Sequence, residues 1–191
     1  MSSFYLDIIK DRLYTEKADS VARRAAQTTM YYILDALVKI LTPMISFTAE
    51  EIWSAMNHTE KENVESPMLA DYPVPNDEWD NKEIAEKWEK IIKVKNIVAK
   101  DLELARAEKT IGNSLDAKVT IYAEGEEYKF LKENEELIKL VLIVSGLEIQ
   151  ENNRKQEEKL GVKVEHATGE KCERCWMYND HLEDGLCPRC K

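Results

Sequence analysis

The chain has 191 residues, 43% of them hydrophobic, enough to close a real core in one or two ordinary domains. No run of about 18 apolar residues occurs, the longest being Leu137 to Val144 with Lys139 inside it, so a membrane-spanning helix is excluded. The net charge of −10 excludes a surface that is a nucleic-acid footprint all round, because phosphate binding needs clustered Lys and Arg.

The charge is uneven. Residues 50 to 80 hold nine acids against one lysine, whereas residues 1 to 45 and 82 to 110 are slightly basic, with Arg23-Arg24 and the row Lys82, Lys87, Lys90, Lys93, Lys95 and Lys100. Interleaved Glu83, Glu86 and Glu89 give that row the look of a solvated helix face. Met1-Ser2-Ser3-Phe4-Tyr5 has neither a basic n-region nor an apolar h-region, so it does not read as an export signal, and cytoplasmic residence is expected.

Phe4 to Tyr14 reads as a first helix, with Leu6, Ile9 and Leu13 on one side. From Ser20 to Leu41, the positions Val21, Ala25, Thr29, Tyr32, Ile33, Ala36, Leu37 and Ile40 recur at steps of three and four, which predicts a long helix buried along that stripe. Pro43 ends or kinks it, and Thr48-Ala-Glu-Glu51 resembles a capping box opening a short helix with Ile52, Trp53 and Met56. Asn57 to Asp80, with three prolines and many acids, reads as a surface loop. A further helix is predicted from about Asp80 to Lys109, with Ile84, Trp88, Ile91, Lys95, Val98, Leu102 and Ala105 at helical spacing and a stop near Gly112-Asn113. Four such helices predict an antiparallel bundle over 1–110.

The period then changes. Val119, Ile121 and Ala123 alternate with Lys118, Thr120 and Tyr122 as in a strand. A helix from Glu126 to Leu137, a strand within Leu140 to Ile149, a polar loop or hairpin tip from Glu151 to Lys159, and a strand at Val162-Lys-Val164 complete a small α+β unit over 111–165. The fold class expected is therefore mainly α, an antiparallel helical bundle followed by a small α+β unit and, over 166–191, a four-cysteine zinc knuckle.

That knuckle carries the strongest chemical signal. Cys172 and Cys175, then Cys187 and Cys190, form two CxxC pairs eleven residues apart, and the chain has no other cysteine. Each pair sets two sulfurs near one point, and a turn at Asp184-Gly185 brings the second pair round to complete a tetrahedron suited to one structural Zn2+. Two disulfides are the alternative, disfavoured in a reducing cytosol without a secretory signal. With four protein sulfurs no position remains for an activated water, so the zinc builds a surface. Phosphate-cradling GxxxxGK and GxGxxG loops are absent, and His58, His166 and His181 are too scattered for a nucleophilic triad. No catalytic residue is assigned; the residues describe a binding module.

Several stretches resemble bacterial-type isoleucyl-tRNA synthetases in the region after the catalytic core. They are Ser3 to Tyr14, Arg24 to Leu34, Leu41 to Trp53, Ala105 to Leu115, Lys171-Cys-Glu-Arg-Cys-Trp176 and Leu186-Cys-Pro-Arg-Cys190, so the likeness spans nearly the whole chain. The spacer between the CxxC pairs is shorter than the family's. The resemblance implies the C-terminal anticodon-binding and zinc-binding part of an ATP-dependent isoleucine-tRNA ligase. The HIGH and KMSKS signatures, the ATP site and the editing domain would lie upstream, with Met1 an engineered start. It further implies isoleucine tRNA and the upstream catalytic domain as partners, a monomeric state, and no aminoacylation by this part alone.

An anticodon loop presents splayed bases, read by stacking on aromatic or guanidinium planes. Arg174 and Trp176, beside ligands Cys172 and Cys175, suit that task under the family resemblance, the alternative being that Trp176 packs beneath the knuckle as its core. Lys10, Arg23, Arg24 and Arg106 are candidates for phosphate contacts, which confer affinity and salt dependence more than identity. Two rival readings remain: a free-standing zinc-containing protein-protein adapter, and a module with general RNA affinity.

Overall fold

The computed structural model describes residues 2–59, 62–152 and 160–191. It divides into two compact units, one made of Met1–Thr15 and Lys82–Lys191, the other of Glu16–Asn81.

The smaller unit opens with a long helix. This helix, α2 (Val21–Leu41), is opened by Ser20, whose hydroxyl accepts the Arg23 N–H, and stops two residues before Pro43. Helix α3 (Ser46–Ala55) begins two residues before Thr48, with Ile45 at its N-cap and no side-chain cap, so the capping box expected at Thr48–Glu51 does not form. Val38, Ala49 and Trp53 make the buried centre, with Ile52, Met56, Val64 and Ala70 around it. The Trp53 indole N–H donates to the Val64 carbonyl at 3.0 Å, pinning the loop to α3. That loop carries two short 3-10 turns, Pro67–Leu69 and Asp77–Trp79.

The buried stripe expected on α2 is not the one observed. Val21 is 84% exposed, and Ala25, Thr29, Tyr32, Leu37 and Ile40 also face outward, while Ala26, Val38 and Lys39 are buried. Apolar residues lie on more than one side of this helix, and α3 packs on the side marked by Val38. Lys39 is tolerated there because its ammonium bonds Asp35 at 2.8 Å and Glu62 at 2.7 Å.

In the larger unit, a π-helical turn (Ser2–Leu6) leads into α1 (Asp7–Thr15), whose Ile8 and Ile9 are buried. Helix α4 (Lys82–Ala107) buries Ile91, Val94, Val98, Leu102 and Ala105 at steps of three and four, matching the expected stripe at Ile91, Val98, Leu102 and Ala105 but with Val94 buried in place of Lys95; Ile84 instead is 53% exposed. Lys109 then takes a left-handed conformation (φ 61°) and the helix is over.

Strand β1 (Ala117–Ala123) is central, parallel to β2 (Gly146–Glu151) and antiparallel to β3 (Gly161–His166), giving the order β2-β1-β3. The parallel pair needs a crossover, supplied by α5 (Gly125–Glu133) and α6 (Glu135–Leu142). A single helix was expected over 126–137, but Asn134 interrupts it, its side-chain N–H donating to the Phe130 carbonyl at 2.8 Å. Leu140 to Leu142, expected in a strand, close α6, and Ile143 (φ 55°) turns the chain into β2. Val119 and Ile121 are buried as expected, and so is Thr120, a small side chain on the central strand flanked by its cross-strand partners Glu148 and Lys163. Of the expected hairpin tip at Glu151 to Lys159, residues 153–159 lie outside the described residues. A two-stranded ribbon, β4 (Glu170–Lys171) with β5 (Tyr178–Asn179), belongs to the cysteine knuckle. Among the described residues no helix is long and apolar enough to cross a membrane.

Candidate metal centre and nucleic-acid groove

The knuckle is assembled from local turns. Gly169 (φ 87°) enters the ribbon so close to its partner strand that a Cβ there would sit 2.4 Å from the Asn179 carbonyl oxygen. The first CxxC turn closes through Trp176 N–H to the Cys172 carbonyl (2.9 Å) and Cys172 N–H to the Met177 carbonyl (2.9 Å). The second closes through Cys190 N–H to the Cys187 carbonyl (2.8 Å). Between them Asp184 (φ 53°) and Gly185 (φ 76°) make the tight reversal expected at that dipeptide, bracketed by paired bonds between Glu183 and Leu186.

These turns bring all four cysteines together, buried and unbridged, with their sulfurs within 4.8 Å of one another. The Cys175 and Cys187 sulfurs are 3.7 Å apart. Zinc–sulfur bonds of about 2.3 Å in a tetrahedron give edges of about 3.8 Å, so the cluster has the size such an ion requires. Burial pushes the Cys172 thiol up, but backbone N–H groups of Cys175, Cys187 and Arg174 outweigh it and leave the thiol lowered to about 6. Burial holds the Cys175 and Cys190 thiols above their ordinary range. One thiolate is thus favoured by the backbone, and burial disfavours the Cys175 and Cys190 thiolates without a nearby cation. The four residues could hold one metal ion, and a closed set of four thiolates suits zinc in a structural role.

Beside the knuckle, and within the same compact unit, lies a groove of about 820 Å³. Ile8 of α1, Leu140 and Ile143 form part of its apolar lining, and Lys10, Arg106, Arg174 and Trp176 also line it. The fold therefore gathers four of the six sequence candidates from three separate stretches. Trp176 does not pack beneath the knuckle. Its side chain is 61% exposed, and its backbone is left-handed at φ 63°. The apolar packing of the knuckle comes from Met177, Leu182 and Leu186. The Arg174 guanidinium donates to the Cys190 carbonyl at 3.4 Å, and that of Arg106 to the Ser114 hydroxyl at 2.6 Å. Lys10 is exposed and paired with Asp7 at 2.7 Å.

Arg23 and Arg24 belong to the other unit. Arg23 is committed to its own helix entry, donating to the Glu16 carbonyl at 3.0 Å, and Arg24 is exposed. Two features of the larger unit escape a reading of the sequence. Tyr14 and Lys171 also line the groove, and Arg189 forms a two-pronged ion pair with Asp11 at 2.6 and 2.7 Å. That bond holds the guanidinium charge well above its ordinary range despite partial burial. No local pattern signals the pair, since its members are 178 positions apart.

Comparison with known proteins accords with this arrangement. Residues 1–121 match the family described as anticodon-binding domain of tRNA ligase. Over 196 residues covering the whole chain, it is 50% identical to an isoleucine-tRNA ligase of Caldicellulosiruptor saccharolyticus, of which it covers 21%. Over 203 residues it is 47% identical to an isoleucine-tRNA ligase of Caldanaerobacter subterraneus subsp. tengcongensis, covering 22% of it. The chain thus spans about a fifth of the length of the curated relatives it matches. By the match over its first 121 residues, the chain belongs to the family of tRNA-ligase anticodon-binding domains.

Proposed function

We propose that the chain is the tRNA-reading, zinc-binding C-terminal part of an isoleucine-tRNA ligase, the ATP-dependent enzyme that attaches isoleucine to its tRNA. The observation that carries this reading is the groove in which Lys10, Arg106, Arg174 and Trp176 converge beside four clustered sulfurs. The identity to isoleucine-tRNA ligases over the whole chain supports the same amino acid and tRNA.

Zinc, held by Cys172, Cys175, Cys187 and Cys190, fixes the direction of Arg174 and Trp176 and does no chemistry. An anticodon base stacks on the Trp176 indole, while Arg174, Arg106 and Lys10 receive phosphates. In this reading residues 1–110 act as the antiparallel helical bundle of an anticodon-binding domain, 111–165 as the α+β support, and 166–191 as the knuckle. These are divisions by role. ATP binding and aminoacyl transfer belong to the catalytic part of the enzyme, which works in the cytoplasm as a monomer, and the present chain alone does not charge tRNA.

Chemical and nuclease footprinting of isoleucine tRNA with the zinc-loaded protein tests this. Protection centred on the anticodon loop is expected, and Trp176→Ala should remove it locally. Protection confined to the acceptor stem, or spread evenly over the tRNA, would contradict the assignment.

A further inference from the structure

We propose that the Asp11–Arg189 ion pair is a latch that seats the knuckle on α1 and couples metal binding to the shape of the groove. Two of the groove's walls are joined by this pair. Asp7, Lys10 and Tyr14 come from α1, and Arg174 and Trp176 come from the knuckle. Tyr178 N–H to the Ser145 hydroxyl (2.8 Å) and Lys171 to Asp116 (3.8 Å) fasten the knuckle to the α/β core. Arg189 fastens it to α1.

The geometry of that attachment is demanding. Both terminal guanidinium nitrogens of Arg189 donate to the two Asp11 carboxylate oxygens, the bidentate form that fixes orientation as well as distance. The Thr15 hydroxyl, which donates to the Asp11 backbone carbonyl at 2.7 Å, also lies 3.0 Å from the same carboxylate. Asp11 is only 19% exposed, and α1 beneath it is anchored by buried Ile8 and Ile9. At the other end Arg189 sits between Cys187 and Cys190 in the chain. An ion that fixes these sulfurs fixes the arginine between them, in the manner of the outer groups that orient metal ligands. By reciprocity, whatever the latch gains from the metal the metal gains from the latch.

Asp11 itself lines the groove, which gives the latch a diagnostic sign. Its carboxylate repels phosphate, so simple electrostatics makes Asp11→Asn bind RNA more tightly. A latch makes the same substitution bind more weakly, because the walls lose their registration. Asn retains the volume and an acceptor for Thr15, and Asp11→Glu retains the charge.

The test measures hydrogen exchange of the full chain with and without one equivalent of Zn2+, and the affinity for isoleucine tRNA. The RNA arm rests on the groove being the tRNA site; the exchange arm does not. In the wild type, zinc slows exchange in α1 as well as in the knuckle. In Asp11→Asn the knuckle amides still respond to zinc, the α1 amides no longer do, and tRNA affinity falls about fivefold or more, with Asp11→Glu recovering most of it. Should α1 in Asp11→Asn respond to zinc as in the wild type, or tRNA affinity hold or rise, the latch is overturned. It is equally overturned if the knuckle of Asp11→Asn loses its own zinc response, which would make Asp11 a residue of metal-site stability alone. A wild type whose α1 responds to zinc but which binds no tRNA upholds the latch and overturns the reading of the groove.

Discussion

Trp176 stands in a backbone conformation that suits glycine, and its ring is largely in solvent beside a cationic groove. A left-handed conformation costs a residue with a Cβ about 1–2 kcal/mol. The knuckle is packed by Met177, Leu182 and Leu186, which leaves the exposed ring accessible to a partner. Trp176→Gly should leave the melting temperature of the zinc-loaded protein unchanged or higher and weaken tRNA binding by about 1–3 kcal/mol, the worth of a stacked base. Trp176→Ala should weaken binding equally without the gain in stability. Thermal melts and tRNA titrations of the two variants check both statements; unchanged affinity in either would remove Trp176 from the site. Gly169 is the opposite case, a glycine the fold requires. Gly169→Ala drives a methyl group into the Asn179 carbonyl at a positive φ and should destabilise the ribbon by about 1–3 kcal/mol, readable as weaker zinc retention against a competing chelator. The clustering of the four cysteines and the Asp184-Gly185 turn were legible from sequence because their geometry is set within twenty residues. The exposure of Trp176 was not, since spacing says nothing of which side of a turn a ring takes.

Among the helices, α4 could be placed almost to the residue because a buried apolar stripe runs through it from Ile91 to Ala105. Helix α2 could be placed but not oriented. It carries apolar side chains on several faces, and what decides its packing is Lys39, whose burial depends on Asp35 one turn away and Glu62 twenty-three positions on. Lys39→Ala should cost the smaller unit about 3 kcal/mol, the lower end for stranding a partner charge, because Glu62 is 40% exposed and can rehydrate. Urea unfolding followed at helix α2 measures this. Burial lowers the Lys39 ammonium, but its bonds to Asp35 and Glu62 outweigh that and raise it above 10.5. A pKa raised on folding stabilises fully below the unfolded value and fades as pH climbs through the folded one. The unit should therefore keep this contribution at neutral pH and lose it only in alkali above about pH 10.5, whereas Lys39→Met should flatten that alkaline limb.

For the molecule as a whole, the net charge of −10 and the presence of a cationic groove are compatible because the basic side chains are concentrated by folding. Lys10 and Arg106 read as ordinary surface cations in the sequence and Arg174 is singled out only through the family resemblance, and only the approach of α1, the 112–115 segment and the knuckle joins them. Three such phosphate contacts predict that log affinity for tRNA falls with log salt at a slope of about −2, the single-strand value per contact being about −0.7. A slope near zero would show that the groove meets no phosphate. Removing the metal should collapse the knuckle wall and abolish this binding together with its salt dependence, and restoring zinc should return both. The most direct measurement is a titration of the zinc-loaded protein with isoleucine tRNA and with the same tRNA altered only in its anticodon. Clear preference for the native anticodon is the predicted result; equal affinity for the two would contradict anticodon reading by this chain.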